Sequence, residues 1–306
     1  KIIFTHNTIL SNRAKMSGGV IAGKDLFDTC FEIKFSKFEN NTSKVGGVAH
    51  LLDVKKLKLN NSIFVGNYAL DNGGLVYMTA KKSLQIIFQM QVLNYKSIFY
   101  MNRANSGGVF YIRKASNILN INSSFINNKA YLDGGSFYLT EAQKLLNLGC
   151  LFEAENVLKQ GGSLYLKKVK FISIVNSTHR KNVAKSGGVC YIDGSNKMTI
   201  NGSTFFSNNA RLGGCIYGRS LKEYFNFDSK FLFNTVIKDG SLIYLFSGKV
   251  YKIILCLFQN NTAVGGILIE ALELDLLQNR NNYFIGNANK ATLSFVKVDT
   301  YHDTHN

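Results

Sequence analysis

Ser123-Ser-Phe-Ile-Asn-Asn-Lys-Ala-Tyr-Leu-Asp-Gly-Gly-Ser-Phe-Tyr-Leu-Thr140 contains the three signals that decide the fold. They are a Phe-x-x-Asn unit (Phe125, Asn128), a glycine pair (Gly134, Gly135) and a short apolar run with a tyrosine at its centre (Phe137-Tyr138-Leu139). The glycine pair recurs at Gly18, Gly46, Gly73, Gly107, Gly134, Gly161, Gly187, Gly213 and Gly265, at intervals of 28, 27, 34, 27, 27, 26, 26 and 52 residues. The last interval is two periods bridged by a degenerate Asp239-Gly240. A period of this length marks stacked copies of one supersecondary unit. Phe-x-x-Asn recurs with it at Phe38/Asn41, Phe64/Asn67, Phe99/Asn102, Phe205/Asn208, Phe231/Asn234, Phe258/Asn261 and Phe284/Asn287. Two residues before the Phe stands a small side chain, Ser36, Ser62, Ser97, Ser123, Ser203 or Ser229, with Cys150 and Cys256 in the same place before Phe152 and Phe258.

The runs after the glycines are about five residues long, rich in β-branched and aromatic types, and bounded by Gly and Asn, so they read as strands. A helical repeat would show an apolar stripe over ten or more residues instead. Each period predicts two or three short strands, and equivalent strands of successive periods lie parallel at about 4.8 Å. The prediction is an all-β fold, a single-stranded parallel β-helix of about eleven coils and roughly 50 Å length, forming one domain over 1–306. In this fold the glycine pair supplies backbone with φ > 0 at a corner. The phenylalanines stack coil on coil, and the asparagine amides form a hydrogen-bonded ladder that satisfies corner backbone groups. Alternation sends positions three and five after the first Gly inward. The intervening Tyr77, Tyr111, Tyr138, Tyr165, Tyr191, Tyr217 and Tyr244 then face outward; a register slip of one residue would exchange the faces.

The chain has no Pro or Trp but 27 Gly, a bias expected of an AT-rich genome that keeps glycine where structure requires it. Its formal charge is +17, from 36 Lys and Arg against 19 Asp and Glu. Lys24, Lys55, Lys56, Lys81, Lys82, Lys114, Lys144, Lys167, Lys168, Lys197, Lys222 and Lys249 follow their glycine pairs and predict a basic edge. Such an edge is either the solvated turn of a solenoid or an attractor of acidic polysaccharide, anionic lipid or nucleic acid; nucleic acid ranks last because no groove-reading module accompanies the charge. Five cysteines without tight spacing predict neither a disulfide framework nor a zinc site. Cys190 and Cys215, one position out of phase in adjacent coils, are expected on opposite faces. Sequons at Asn40, Asn41, Asn60, Asn122, Asn176, Asn201 and Asn260 permit an exported glycoprotein. No run approaches the eighteen apolar residues of a membrane span. The chain opens in mid-repeat at Lys1 and neither end carries a polar cap, so it reads as a fragment whose open coils invite protein partners or copies of itself. About seven extra residues within Lys81 to Tyr95, with Phe88, Met90 and Val92, form an apolar insertion that docks on a partner or folds over the core.

Hydrolases and lyases of parallel β-helix architecture need clustered carboxylates, or acids with a metal and a base. Here Asp133, Asp193 and Asp239 are scattered over non-adjacent coils. His179-Arg180, which replaces a Phe-x-x-Asn corner, is the best lone catalytic candidate, against the plainer reading of a drifted corner. No Walker loop, nucleophile elbow or Cys-x-x-Cys occurs, so a non-enzyme without cofactor or metal is expected.

Phe-x-x-Asn followed by Gly-Gly-x-aliphatic over nearly the whole chain resembles the repeats of the chlamydial polymorphic outer-membrane proteins and the pectin-lyase-like repeat proteins of ciliates; the composition suits a ciliate better. The resemblance implies a right-handed β-helix displayed at a cell surface or outside the cell, with structural or adhesive work. A filament subunit is one expectation. A carbohydrate-binding module using the tyrosine row for glycans is the other.

Overall fold

The computed structural model describes residues 1–80, 90–237 and 240–304. It is a parallel β-solenoid of eleven turns with no helix among the described residues. One turn shows the construction: Phe110–Arg113, Asn117–Ile121, Ser124–Ile126 and Lys129–Asp133 follow one another around the axis. The coil therefore has four strands where the apolar runs predict two or three. The fourth, after the ladder asparagine, alternates too briefly to be read as a strand from sequence.

Every pairing between neighbouring coils is parallel, and Phe110 lies beside Phe137 and Ile118 beside Leu145; the register shifts only between Ala104 and Ser106 and between Ala263 and Ile267. One hydrophobic core runs the full length of the axis. It takes the positions three and five after the first Gly, such as Phe137 and Leu139, at 0 % exposure. Phe38, Phe64, Phe99, Phe125 and Phe152 stack in one column with centroids 4.7–5.5 Å apart. The column continues through His179 to Phe205, Phe231, Phe258 and Phe284. Stacked rings of this kind add roughly 0.5–1.5 kcal/mol per pair beyond the area they bury.

Beside the phenylalanines runs the asparagine ladder. Asn67 Nδ2 donates to Asn102 Oδ1 at 3.0 Å and to the Phe38 carbonyl at 3.0 Å, and the Asn67 amide N–H also donates to Asn102 Oδ1, at 3.1 Å. The pattern repeats through Asn182, Asn208, Asn234, Asn261 and Asn287. A buried polar group without a partner costs about 1–3 kcal/mol, and the ladder removes that penalty at one corner of each coil. The small residue before Phe builds a second ladder: the Ser36 N–H donates to Ser62 Oγ at 3.2 Å and the Ser97 N–H to Ser123 Oγ at 3.2 Å. Its hydroxyl, and not only its size, is what the fold uses there.

The turn above passes through four left-handed residues, Gly107, Lys114, Asn122 and Asn127, with φ between 48° and 63°. Only the first glycine of a pair is left-handed. The second is required by contact: a Cβ on Gly162 would stand 1.9 Å from the carbonyl oxygen of Gly188 in the next coil. Gly240 keeps the register of the degenerate pair, since Ile216 and Tyr217 pair with Ile243 and Tyr244; Asp239 lies outside the described residues. The insertion falls between the described residues 80 and 90. Phe88 lies outside them, whereas Met90 and Val92 are core residues at 4 % and 0 % exposure and not part of a loop.

Gly162→Ala is expected to lower the urea unfolding free energy by more than about 4 kcal/mol, because backbone meets backbone across coils. Gly149→Ala would meet only the Asn122 amide oxygen, at 2.4 Å. It is expected to cost about 1–2 kcal/mol for its left-handed backbone. Similar losses in the two variants would contradict the contact argument.

Candidate functional site

The outward row of tyrosines forms as the alternation requires. Tyr111, Tyr138, Tyr217 and Tyr244 are half-buried, and Tyr165 and Tyr191 are more covered at 8 % and 7 %. The seven rings, starting at Tyr77, lie nearly parallel, with centroids 4.6–5.4 Å apart. His50 closes one end of the row, edge-on to Tyr77 at 5.1 Å. The ring faces are therefore turned to one another, and the row offers a ligand ring edges and hydroxyls. A sugar that stacks on an aromatic face has no face to use within the row. This narrows the expected glycan contact to hydrogen bonding.

Burial, with the neighbouring Tyr138 and Tyr77 hydroxyls adding to it, pushes the Tyr111 hydroxyl up to about 12. The Tyr111 hydroxyl therefore keeps its proton and can donate it to a hydrogen bond at any ordinary pH. Beside it a shallow groove of about 360 Å³ is lined by Tyr111, Arg113, Tyr138, Thr140, Glu141, Lys167 and Lys168. Arg113 and Glu141 pair across coils at 3.7 Å.

His179 is not a surface group. It occupies the phenylalanine slot, stacked 4.6 Å from Phe152 and 5.3 Å from Phe205, at 0 % exposure. Neither ring nitrogen has a hydrogen-bond partner among the described residues. Burial lowers its pKa to about 3, so the ring is neutral and out of reach of any substrate. Arg180 points outward to Glu153 of the preceding coil at 2.6 Å. The catalytic candidate is thus divided between a core ring and a surface ion pair.

Glu155 escapes the sequence reading. It fills the ladder position of its coil, fully buried, where nine other coils from Asn41 to Asn287 place asparagine. Asn128 Nδ2 donates to Glu155 Oε1 at 3.2 Å, the Ser136 hydroxyl donates to the same oxygen, and the Glu155 N–H donates to Asn182 Oδ1 at 3.1 Å. Ser136 and Ser163 stand where other coils have Val48, Leu75, Val109 and Val189. Three polar replacements therefore gather at one node, and the signal was visible as Phe152-x-x-Glu155 followed by Gly-Gly-Ser. Burial outweighs the hydrogen bonds from Ser136, Asn128 and Ser163 and holds the carboxyl well above its usual range, hence protonated.

Cys190 and Cys215 do not face opposite ways. Both are fully buried free thiols, because positions two and three after the first Gly both turn inward at the corner. Burial raises both thiols. Among the sequons, Asn41 is a buried ladder rung. Asn40, Asn122, Asn176 and Asn260 hold left-handed corners and lay Oδ1 over Gly66, Gly149, Gly202 and Gly286 of the next coil. Five of the seven sequon asparagines thus have a structural reason to be there.

Among the described residues no cluster of three or more His, Cys, Asp or Glu side chains could hold a metal, and no helix is long and apolar enough to cross a membrane. No family model, curated protein or solved structure matches this chain.

Buried His179 and Glu155 act on stability in opposite directions. On acidification through 6.5 the unfolded chain protonates its histidine while folded His179 refuses the proton, so folding weakens as pH falls. Glu155 keeps its proton in the fold while the unfolded carboxyl ionises above 4.5, so folding weakens as pH rises. Between 4.5 and 6.5 the two slopes offset. Urea unfolding of His179→Phe is expected to lose the acid-side decline, about 1.4 kcal/mol per pH unit. Glu155→Gln is expected to gain stability above pH 6.5 relative to the parent. Parallel pH profiles for parent and variants would contradict the assignment.

Proposed function

We propose that the chain is a non-catalytic structural or adhesive solenoid of the cell surface or extracellular space, a rigid length of a fibrous assembly. Its partners are proteins or further copies of itself, joined coil to coil. The observation that carries this reading is the continuity of the ladders: phenylalanine, asparagine and tyrosine columns run on through successive coils at one spacing. That is how a chain makes a stiff rod.

The surface acids support the reading. Glu141, Glu153, Asp193 and Glu223 each pair with a basic residue one coil away, at 2.6–3.7 Å. A glycosidase needs two carboxyl groups converging on one bond, and these are divided among separate ion pairs. The likeness of the repeat to pectin-lyase-like surface proteins points the same way. A second reading, favoured by the hydroxyl row and its basic groove, is a module that hydrogen-bonds glycans or acidic polysaccharide.

Tyr138→Ser with Tyr165→Ser separates the two. The structural reading expects shorter rods in electron micrographs and a lower melting temperature, with retention on polysaccharide columns unchanged. Loss of polysaccharide retention with rod length intact would overturn it in favour of the glycan module.

A further inference from the structure

The strand that follows the ladder asparagine has an outer face unlike the others. Its outward positions are the first and third residues after that asparagine, and the intervening residue is buried and small, as in Ala69, Ala104, Ala130 and Ala210. From the coil of Arg13 to that of Ile237, neither outward position holds an Asp or Glu. The same positions hold Arg13, Lys15, Lys44, Arg103, Lys129, Lys185 and Arg211. None of these seven forms an ion pair with a described residue, in contrast to Arg113, Arg180, Lys197 and Arg219 on the other faces. Among the described residues carboxylates return only at the turn before the glycine pair, in Asp71 and Asp133, and Asp133 accepts the Gln160 N–H at 3.1 Å.

Between the cations stand large apolar groups: Leu70 at 58 %, Tyr131 at 62 %, Leu158 at 59 % and Ile237 at 57 % exposure, with Tyr68 at 38 %. A groove of about 480 Å³ opens between Arg13, Lys15, Lys44, Tyr68 and Leu70. Nine coils at about 4.8 Å make this face roughly 38 Å long.

We infer that this face docks on an anionic lipid surface. A polysaccharide or nucleic acid would neutralise the cations but leave the aliphatic side chains in water. The boundary between headgroups and acyl chains accepts both kinds of group. Apolar side chains enter it, tyrosine suits its depth, and each Lys or Arg gains from an anionic leaflet. The sheet provides the flat, extended contact that a bilayer presents.

The test is sedimentation of the full chain with vesicles of phosphatidylcholine, with and without phosphatidylserine. Retention is expected only with phosphatidylserine and is expected to fall as salt screens the charges. Lys129→Ser with Lys185→Ser is expected to weaken it by about fivefold per cation removed. Leu70→Ser with Leu158→Ser is expected to weaken it while leaving the salt dependence in place, and Lys58→Ser with Lys252→Ser, on another face, to leave it unchanged. Far-ultraviolet circular dichroism confirms that each variant keeps its strands. Equal retention on phosphatidylcholine alone would overturn the inference. So would binding that needs the lysines, ignores the leucines and is fully competed by heparin, which would mark a polyanion site instead.

Discussion

Successive coils approach so closely that there is no room for a side chain at one corner, and everything else in the molecule follows from that approach. From Gly19 to Gly188 a Cβ on the second glycine of each pair would fall 1.9–2.2 Å from a carbonyl oxygen of the next coil. Held at this distance, equivalent strands exchange backbone hydrogen bonds along the whole rod. Identical side chains then meet at stacking and hydrogen-bonding range, which is why phenylalanine, asparagine, serine and tyrosine each form a column. The first glycine has a different task, to turn the chain through left-handed backbone.

The fold was legible because its constraint recurs. Nine glycine pairs and eight Phe-x-x-Asn units announce the period, and alternation around Tyr138 and Tyr165 places the row on the outside. What periodicity could not convey was local. The left-handed corner at Lys114 carries an ordinary side chain that composition does not mark, whereas Asn122 and Asn127 are of the type that most readily takes this backbone. The inward turn of Cys215 depends on backbone torsion at the corner, which strict strand alternation does not describe. The tyrosine site was legible as a row but not as a stack, since sequence spacing says that rings are near one another and not that they lie face to face. The fourth face went unread because its strands are only two to five residues long.

Departures from the repeat are informative for the same reason. His179 and Glu155 replace a phenylalanine and an asparagine in adjacent coils, and both are kept neutral by burial. Their coils keep the common register, with Phe152 paired to His179 and His179 to Phe205. The columns therefore tolerate a polar rung provided that it stays uncharged. The surface follows a different rule: Glu141, Glu153, Asp193 and Glu223 pair with bases coil to coil on the other faces, and the face after the asparagine ladder holds cations and exposed apolar groups without an Asp or Glu at its outward positions.

Paired cysteines test most directly the claim that residues one period apart are vertical neighbours. Thr178 and Thr204 are register partners, as are Thr204 and Lys230. Thr178→Cys with Thr204→Cys is expected to form a disulfide under mild oxidation. Thr178→Cys with Lys230→Cys, two coils apart at about 9.6 Å, lies beyond disulfide reach and is expected to form none. Cross-linking of the second pair in preference to the first, or of neither, would contradict the solenoid.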